Sequence, residues 1–85
     1  MKHLALTLAL LAAPLAAHAM PQVGDVVGTN PDDASAALLA AGCTVQEFEA
    51  EDGMIEAKCL DEAKAHWEVY IDPASGAVTK IKADD

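Results

Sequence analysis

Trp67-Glu68-Val69-Tyr70-Ile71-Asp72-Pro73-Ala74-Ser75-Gly76-Ala77-Val78 is the stretch on which the reading of the fold depends. It holds the only Trp and the only Tyr of the 85 residues. Trp67, Val69 and Ile71 alternate with Glu68 and Tyr70, the period-two pattern of a strand with one buried face. Asp72 to Gly76 then reverses the chain. Pro73 sets φ for a type I turn, Asp72 can bond the turn backbone, and Gly76 takes the left-handed position. The spacing predicts a strand over residues 66–72 and a partner over 77–82. Pairing Ile71 with Ala77 places Val69 opposite Thr79 and Trp67 opposite Ile81 on the inner face. On the outer face it sets Glu68 opposite Lys80, a complementary pair. Ala83, Asp84 and Asp85 read as a frayed tail.

Upstream lies a second hairpin. Residues 45–51 and 54–60 alternate around Asp52-Gly53, a dipeptide that favours the type I′ turn of a tight hairpin. The implied register pairs Ala50 with Ile55 and Phe48 with Ala57, with Cys59 on the same inner face. The outer face then pairs Glu47 with Lys58, Glu49 with Glu56, and Val45 with Leu60. Residues 61–65 are a polar connection to the next strand. The pattern does not order the two hairpins in the sheet.

Before the hairpins comes one helix. Asn30 is suited to cap it, Pro31 to open it, and Asp32 and Asp33 to sit at the positive end of its dipole. Ala34, Ala37, Leu38 and Ala41 share a face bordered by Leu39, and Gly42 ends the helix in the left-handed conformation. Residues 20–28 read as an extended lead-in, with Val27 packing back on the first helical turn. The fold class is therefore α+β: one helix on a four-stranded antiparallel sheet made of two hairpins.

Residues 1–19 have the composition of a secretory leader. Lys2 and His3 precede an apolar run from Leu4 to Ala13, Pro14 breaks it, and Ala17-His18-Ala19 offers small residues for cleavage. The run is far shorter than the ~20 residues of a membrane span, and no Cys follows for a lipid anchor. The expectation is one exported domain over residues 20–85, periplasmic or secreted. A domain so small has a thin core and commonly needs a staple. Cys43 and Cys59 supply it, since export implies an oxidising compartment and two cysteines admit one pairing. Their wide spacing has none of the C-x-x-C character of redox or zinc pairs.

The chain carries 14 Asp and Glu against 5 Lys and Arg, a net charge of −9, and the leader removes one of those lysines. Such an acidic chain repels nucleic acid and anionic lipid and suits a basic partner.

The helix opening Asn30-Pro31-Asp32-Asp33-Ala34, its exit Ala41-Gly42-Cys43, the hairpin Phe48 to Gly53 and above all Trp67 to Val78 resemble the PepSY domain family. That module occurs in propeptides of thermolysin-like metallopeptidases and in small exported bacterial proteins. The resemblance spans nearly all of the chain after the leader and is carried by structural motifs, so it transfers no catalytic residue. It implies a non-catalytic protein-binding module, a peptidase inhibitor or regulator in the cell envelope. No peptidase domain follows in this sequence, so the expected role is a freestanding one, with a peptidase or another envelope protein as partner.

The residues themselves offer little chemistry. Ser35 falls in the helix, Ser75 in a turn, and His66 is the single histidine after the leader; no nucleophile, base and orienting acid converge, so neither an enzyme nor a cofactor is expected. Glu47, Glu49, Glu51, Asp52 and Glu56 give the first hairpin an acidic outer face. Ca²⁺ wants six to eight oxygens from a shaped loop, so this face reads as solvated, with a weak divalent-cation binder or a purely structural envelope protein as the alternatives. Tyr70, Met54, Val45 and Leu60 fall outward among carboxylates, a mixture found at protein interfaces. His66, Glu68, Tyr70 and Met54 are the candidate protein-binding face.

Overall fold

Asn30 begins the helix as its sequence predicts. In the computed structural model, which describes residues 20–84, its side chain accepts the Asp33 N–H at 2.9 Å and donates to the Asp33 carboxylate at 2.9 Å. The leader reading of residues 1–19 and the terminal Asp85 lie outside the described residues. Helix α1 runs Pro31–Ala40. It closes in a Schellman motif: Gly42, at φ 95°, donates to the Leu39 carbonyl at 2.9 Å, and Cys43 donates to that of Leu38 at 2.8 Å. Leu38 and Cys43 are both fully buried, which supplies the apolar contact that accompanies this cap. Leu39, expected at the border of the buried face, is 59% exposed.

Four strands follow: β1 Thr44–Glu51, β2 Met54–Leu60, β3 His66–Ile71 and β4 Val78–Ala83. They form one antiparallel meander in the order β1-β2-β3-β4, which settles how the two hairpins join. Asp52 and Gly53 turn with φ 52° and 79°, both positive, as type I′ requires. Cys43 and Cys59 are joined by a disulfide, with Cα atoms 5.4 Å apart. The bond ties the helix exit to the second strand.

The core lies between α1 and one face of the sheet. Ala34 and Leu38 from the helix meet Ala57, Cys59, Val69, Ile71 and Val78, and Val27 from the lead-in joins them. Phe48, Ile55 and Trp67 pack at the margin. The tail is not frayed where it is described: Ala83 pairs with Trp67 in β4, and Asp84 donates to the His66 carbonyl at 3.0 Å.

Two register expectations are corrected, and both corrections are bulges on the outermost strands. In β1, an extra residue at Gln46 shifts Val45 from opposite Leu60 to opposite Cys59, and Thr44 takes the place opposite Leu60. Val45 therefore packs against the core instead of facing outward. In β4, Ile71 pairs with Val78 rather than Ala77, Thr79 is the extra residue, and Tyr70 pairs with Lys80, Val69 with Ile81 and Glu68 with Lys82. The expected register would have turned Ala77 and Thr79 inward. The bulge buries Val78 instead and leaves Thr79 exposed. More apolar area leaves water, and no hydroxyl enters the core without a partner.

The lead-in fixes this arrangement. Val26 bridges Ala77, Gly24 donates to the Val78 carbonyl, and Val78 donates to that of Asp25, both at 2.8 Å. It thus covers the start of the β4 edge, and Lys80 and Lys82 put charge on the rest of that strand. Gly76 is required where the two segments meet. At φ 75° it is left-handed, and a Cβ there would lie 2.7 Å from the Gly28 carbonyl carbon.

Candidate functional site

The sheet face opposite the helix has no element packed over it among the described residues. Alternation places Met54, Glu56, Lys58 and Leu60 of β2 on it. From β3 come His66, Glu68 and Tyr70, and from β1 Glu47, Glu49 and Glu51. Three of the four candidate binding residues come together there. Tyr70 donates its hydroxyl hydrogen to the Glu68 carboxylate at 2.9 Å, and the Lys80 ammonium sits 4.7 Å from the centre of its ring. Tyr70 and Met54 line the same open depression of about 430 Å³, with Asp72 and Thr79 at its rim. His66 stands apart. It pairs with Leu60 at the other end of β2, whereas Met54 begins that strand, so roughly 20 Å of extended chain separates them.

Glu56 is the residue that sequence reasoning undervalued. It lies at the middle of this face, opposite Glu49 on one side and Tyr70 on the other, and it is only 2% exposed. Burial, with hydrogen bonds its acid form makes to Glu51 and Glu68 and the charges of those two groups, pushes its carboxyl up from 4.5 to about 7. Its neighbours respond in turn. Burial also pushes Glu68 up, but the hydrogen bonds from Tyr70 and Glu56 and the charge of Lys82, 3.6 Å away, outweigh it and hold Glu68 below its usual value. Burial and the bond to Glu68 drive the Tyr70 phenol well above its own. Lys58 lies 3.6 Å from Glu49 and 3.8 Å from Glu47, and the Glu49 charge raises its pKa. The like-charge pair Glu49–Glu56 was the signal in the sequence, because a cross-strand repulsion must be relieved by a proton or a counter-ion.

Asp61 was also passed over within a polar connection. One carboxylate oxygen accepts the Ala63 and Ala65 N–H groups at 2.8 and 2.9 Å, and the other accepts the Trp67 indole N–H at 2.8 Å. The Trp67 bond and those from the backbone hold its pKa down. This residue shapes the β2–β3 connection and seats the tryptophan, which makes it structural. A second concavity, of about 190 Å³, opens on the helix side where α1 starts. Pro31, Ala34, Phe48, Ile55 and Ile71 line it and make it largely apolar.

Comparison with known families decides the membership. The family model PepSY_2, described as peptidase propeptide and YPEB domain, matches residues 2–82. The chain belongs to the PepSY family. The family is one of propeptide-like and regulatory modules, which suits a chain whose signature residues, Trp67 to Val78, are mostly committed to packing and turn geometry. No curated protein and no solved structure matches the chain. Among the described residues, no helix is long and apolar enough to cross a membrane.

Proposed function

We propose that this chain is a non-catalytic, exported PepSY module that binds a peptidase or another envelope protein and restrains it. Its binding surface is the open face of the sheet, centred on Glu68, Tyr70 and Met54, with His66 at the margin. The observation that carries the reading is the depression beside Tyr70 and Met54 on a sheet face with no element over it among the described residues. An aromatic and a thioether set among charged groups are what a protein interface offers, and the ring is already held in place by Lys80 and Glu68. Family membership supports a regulatory role. The leader-like residues 1–19 support export, and the staple of Cys43 and Cys59 suits an oxidising compartment.

Pull-down from envelope extract with the purified protein tests this, repeated with Tyr70→Ala and Glu68→Lys. The expected result is capture of a peptidase whose activity falls as the wild-type protein is added, with both effects lost in each variant. Absence of capture, or capture indifferent to both substitutions, would remove this face as the site.

A further inference from the structure

The two outer strands of the sheet are β1 and β4, and their free edges differ. On β4 the lead-in bonds to residues 76–78, Thr79 bulges, and Lys80 and Lys82 add charge. On β1, among the described residues, no backbone bond beyond the β1–β2 ladder reaches residues 44–51. The bulge at Gln46 interrupts this edge near its start, so residues 47–51 are its regular open stretch.

The register says which backbone groups that stretch presents. Asp52-Gly53 is a two-residue turn, so Glu51 and Met54 are the bonded pair that closes the hairpin. Bonded and non-bonded pairs alternate from there. Glu49–Glu56 and Glu47–Lys58 are bonded, while Ala50–Ile55 and Phe48–Ala57 are not. The N–H and C=O groups of Phe48 and Ala50 therefore point away from β2, toward the free edge.

The two sides of this edge have opposite characters. Phe48 and Ala50 lie on the helix side, where they line the apolar concavity of about 190 Å³ with Pro31, Ala34, Ile55 and Ile71. That volume is below the roughly 300–1,000 Å³ of small-molecule sites and suits a single apolar side chain. Glu47, Glu49 and Glu51 lie on the open face and are exposed. Lys58 serves Glu47 and Glu49 together, so the row keeps a net negative charge.

We propose that the free edge of β1, residues 47–51, binds an extended segment of a partner protein in which basic and apolar residues alternate. The segment adds a fifth strand, antiparallel like every other pair in the sheet, and its backbone bonds to Phe48 and Ala50. Its residues opposite those two project to the helix side, where one apolar side chain fills the concavity. Its residues opposite Glu47, Glu49 and Glu51 project to the open face, where Lys or Arg meets the carboxylates. A second copy of this chain fits this edge worse, because β1 against β1 sets glutamate opposite glutamate. The edge binds independently of the Tyr70 face, so the pull-down above and the titration below fail separately.

Titration of the purified protein with a synthetic heptapeptide in which Lys alternates with Val, followed by amide chemical shifts, tests the edge. Saturable binding is expected by about 1 mM peptide, with the largest shifts at residues 47–51 and the Phe48 and Ala50 amide protons moving downfield as they gain acceptors. A peptide of the same composition with its Lys grouped at one end should bind about tenfold more weakly. So should one N-methylated at its Val residues, whose amides face β1. In the protein, Ala50→Pro removes an outward donor at an edge position that tolerates proline, and should also cost about tenfold. Glu47→Lys should weaken binding about threefold or more, whereas Glu62→Lys, in the β2–β3 connection, should change it by less than about twofold. Thermal melting shows whether each variant is folded. The N-methylated peptide carries the same test on the wild-type protein if Ala50→Pro is not. No shifts at about 1 mM peptide, equal binding of the grouped or N-methylated peptide, or shifts centred on Tyr70 and Met54 would overturn this site. Shifts at residues 47–51 that grow with protein concentration alone would assign the edge to a second copy and overturn the basic partner.

Discussion

Val69 and Glu56 sit on neighbouring strands of one sheet, face opposite ways, and are both almost wholly buried, at 0% and 2% exposed. They are buried by different means. Val69 lies under α1 among apolar side chains, where removal from water is favourable by roughly 25 cal/mol per Å² of apolar surface. Among the described residues, Glu56 has no element above it and is enclosed by the side chains of its own sheet. Its burial is unfavourable unless a proton or a cation comes with it. One face thus supplies the stability of the domain, and the other holds a charge that is conditional on the solution.

Three measurements press on that contrast. The largest effect belongs to the covered face. Leu38 is fully buried at the centre of the helix contact, and Leu38→Ala should cost about 3 kcal/mol by urea unfolding, from lost transfer energy and the cavity left behind. In a domain whose total is often only about 5 kcal/mol, that would leave the variant about 2 kcal/mol, with roughly 3% of it unfolded at room temperature. A loss below about 1 kcal/mol would show that this face is not where the stability resides.

Reduction comes next. Cys43 and Cys59 lie 16 residues apart, and both are buried in the covered face. Opening a loop of that size should cost roughly 3 kcal/mol in the chain-entropy model, seen as a lower urea midpoint in reductant. The midpoint of the Cys43→Ala, Cys59→Ala double variant should not respond to reductant. A wild-type midpoint that is equally indifferent would show that the staple contributes nothing to the covered face.

The same contrast explains how much of the molecule was legible in the sequence. The covered face obeys the alternation rule, so Trp67, Val69 and Ile71, the helix with its caps, and the Asp52-Gly53 turn all follow from local chemistry. The errors cluster on β1 and β4, where Val45 and Phe48, and likewise Val78 and Ile81, are three residues apart and yet all pack on the core. Strict alternation cannot turn both members of such a pair inward; a bulge between them can, and that spacing was the available clue. The rest of the β4 register depended on the lead-in, because residues 24–27 bond to residues 76–78 across a sequence gap that no periodic pattern reveals. The open face reads as a solvated acidic surface because alternation shows which carboxylates share a face and not how deeply each is buried. That Glu56 disappears among Glu49, Glu51, Glu68 and Tyr70 is a property of three strands in register, and only the Glu49–Glu56 pairing was visible beforehand.

The smallest effect, and the most specific, is on the open face. The Glu56 carboxyl titrates near 7 in the folded protein against an ordinary value of 4.5. Below 4.5 it is protonated whether the chain is folded or not and makes no contribution to the pH dependence. Between 4.5 and about 7 the folded state retains a proton that the unfolded state releases, so stability falls as the pH rises. Above about 7 the loss is complete. The face is open to water on one side, so the loss should be discounted to about 1 kcal/mol rather than taken from the whole shift. Glu56→Gln keeps the shape, carries no charge and can donate to Glu51 or Glu68. In chelator-containing buffer it should match the wild type at about pH 4 and exceed it by about 1 kcal/mol at about pH 8. Comparing variant with wild type cancels the opposite trend of Asp61, whose lowered value makes the fold less stable in stronger acid. A variant that is no more stable than the wild type at pH 8 would mean that the open face bears its buried carboxylate at no cost, and the contrast between the two faces would fail.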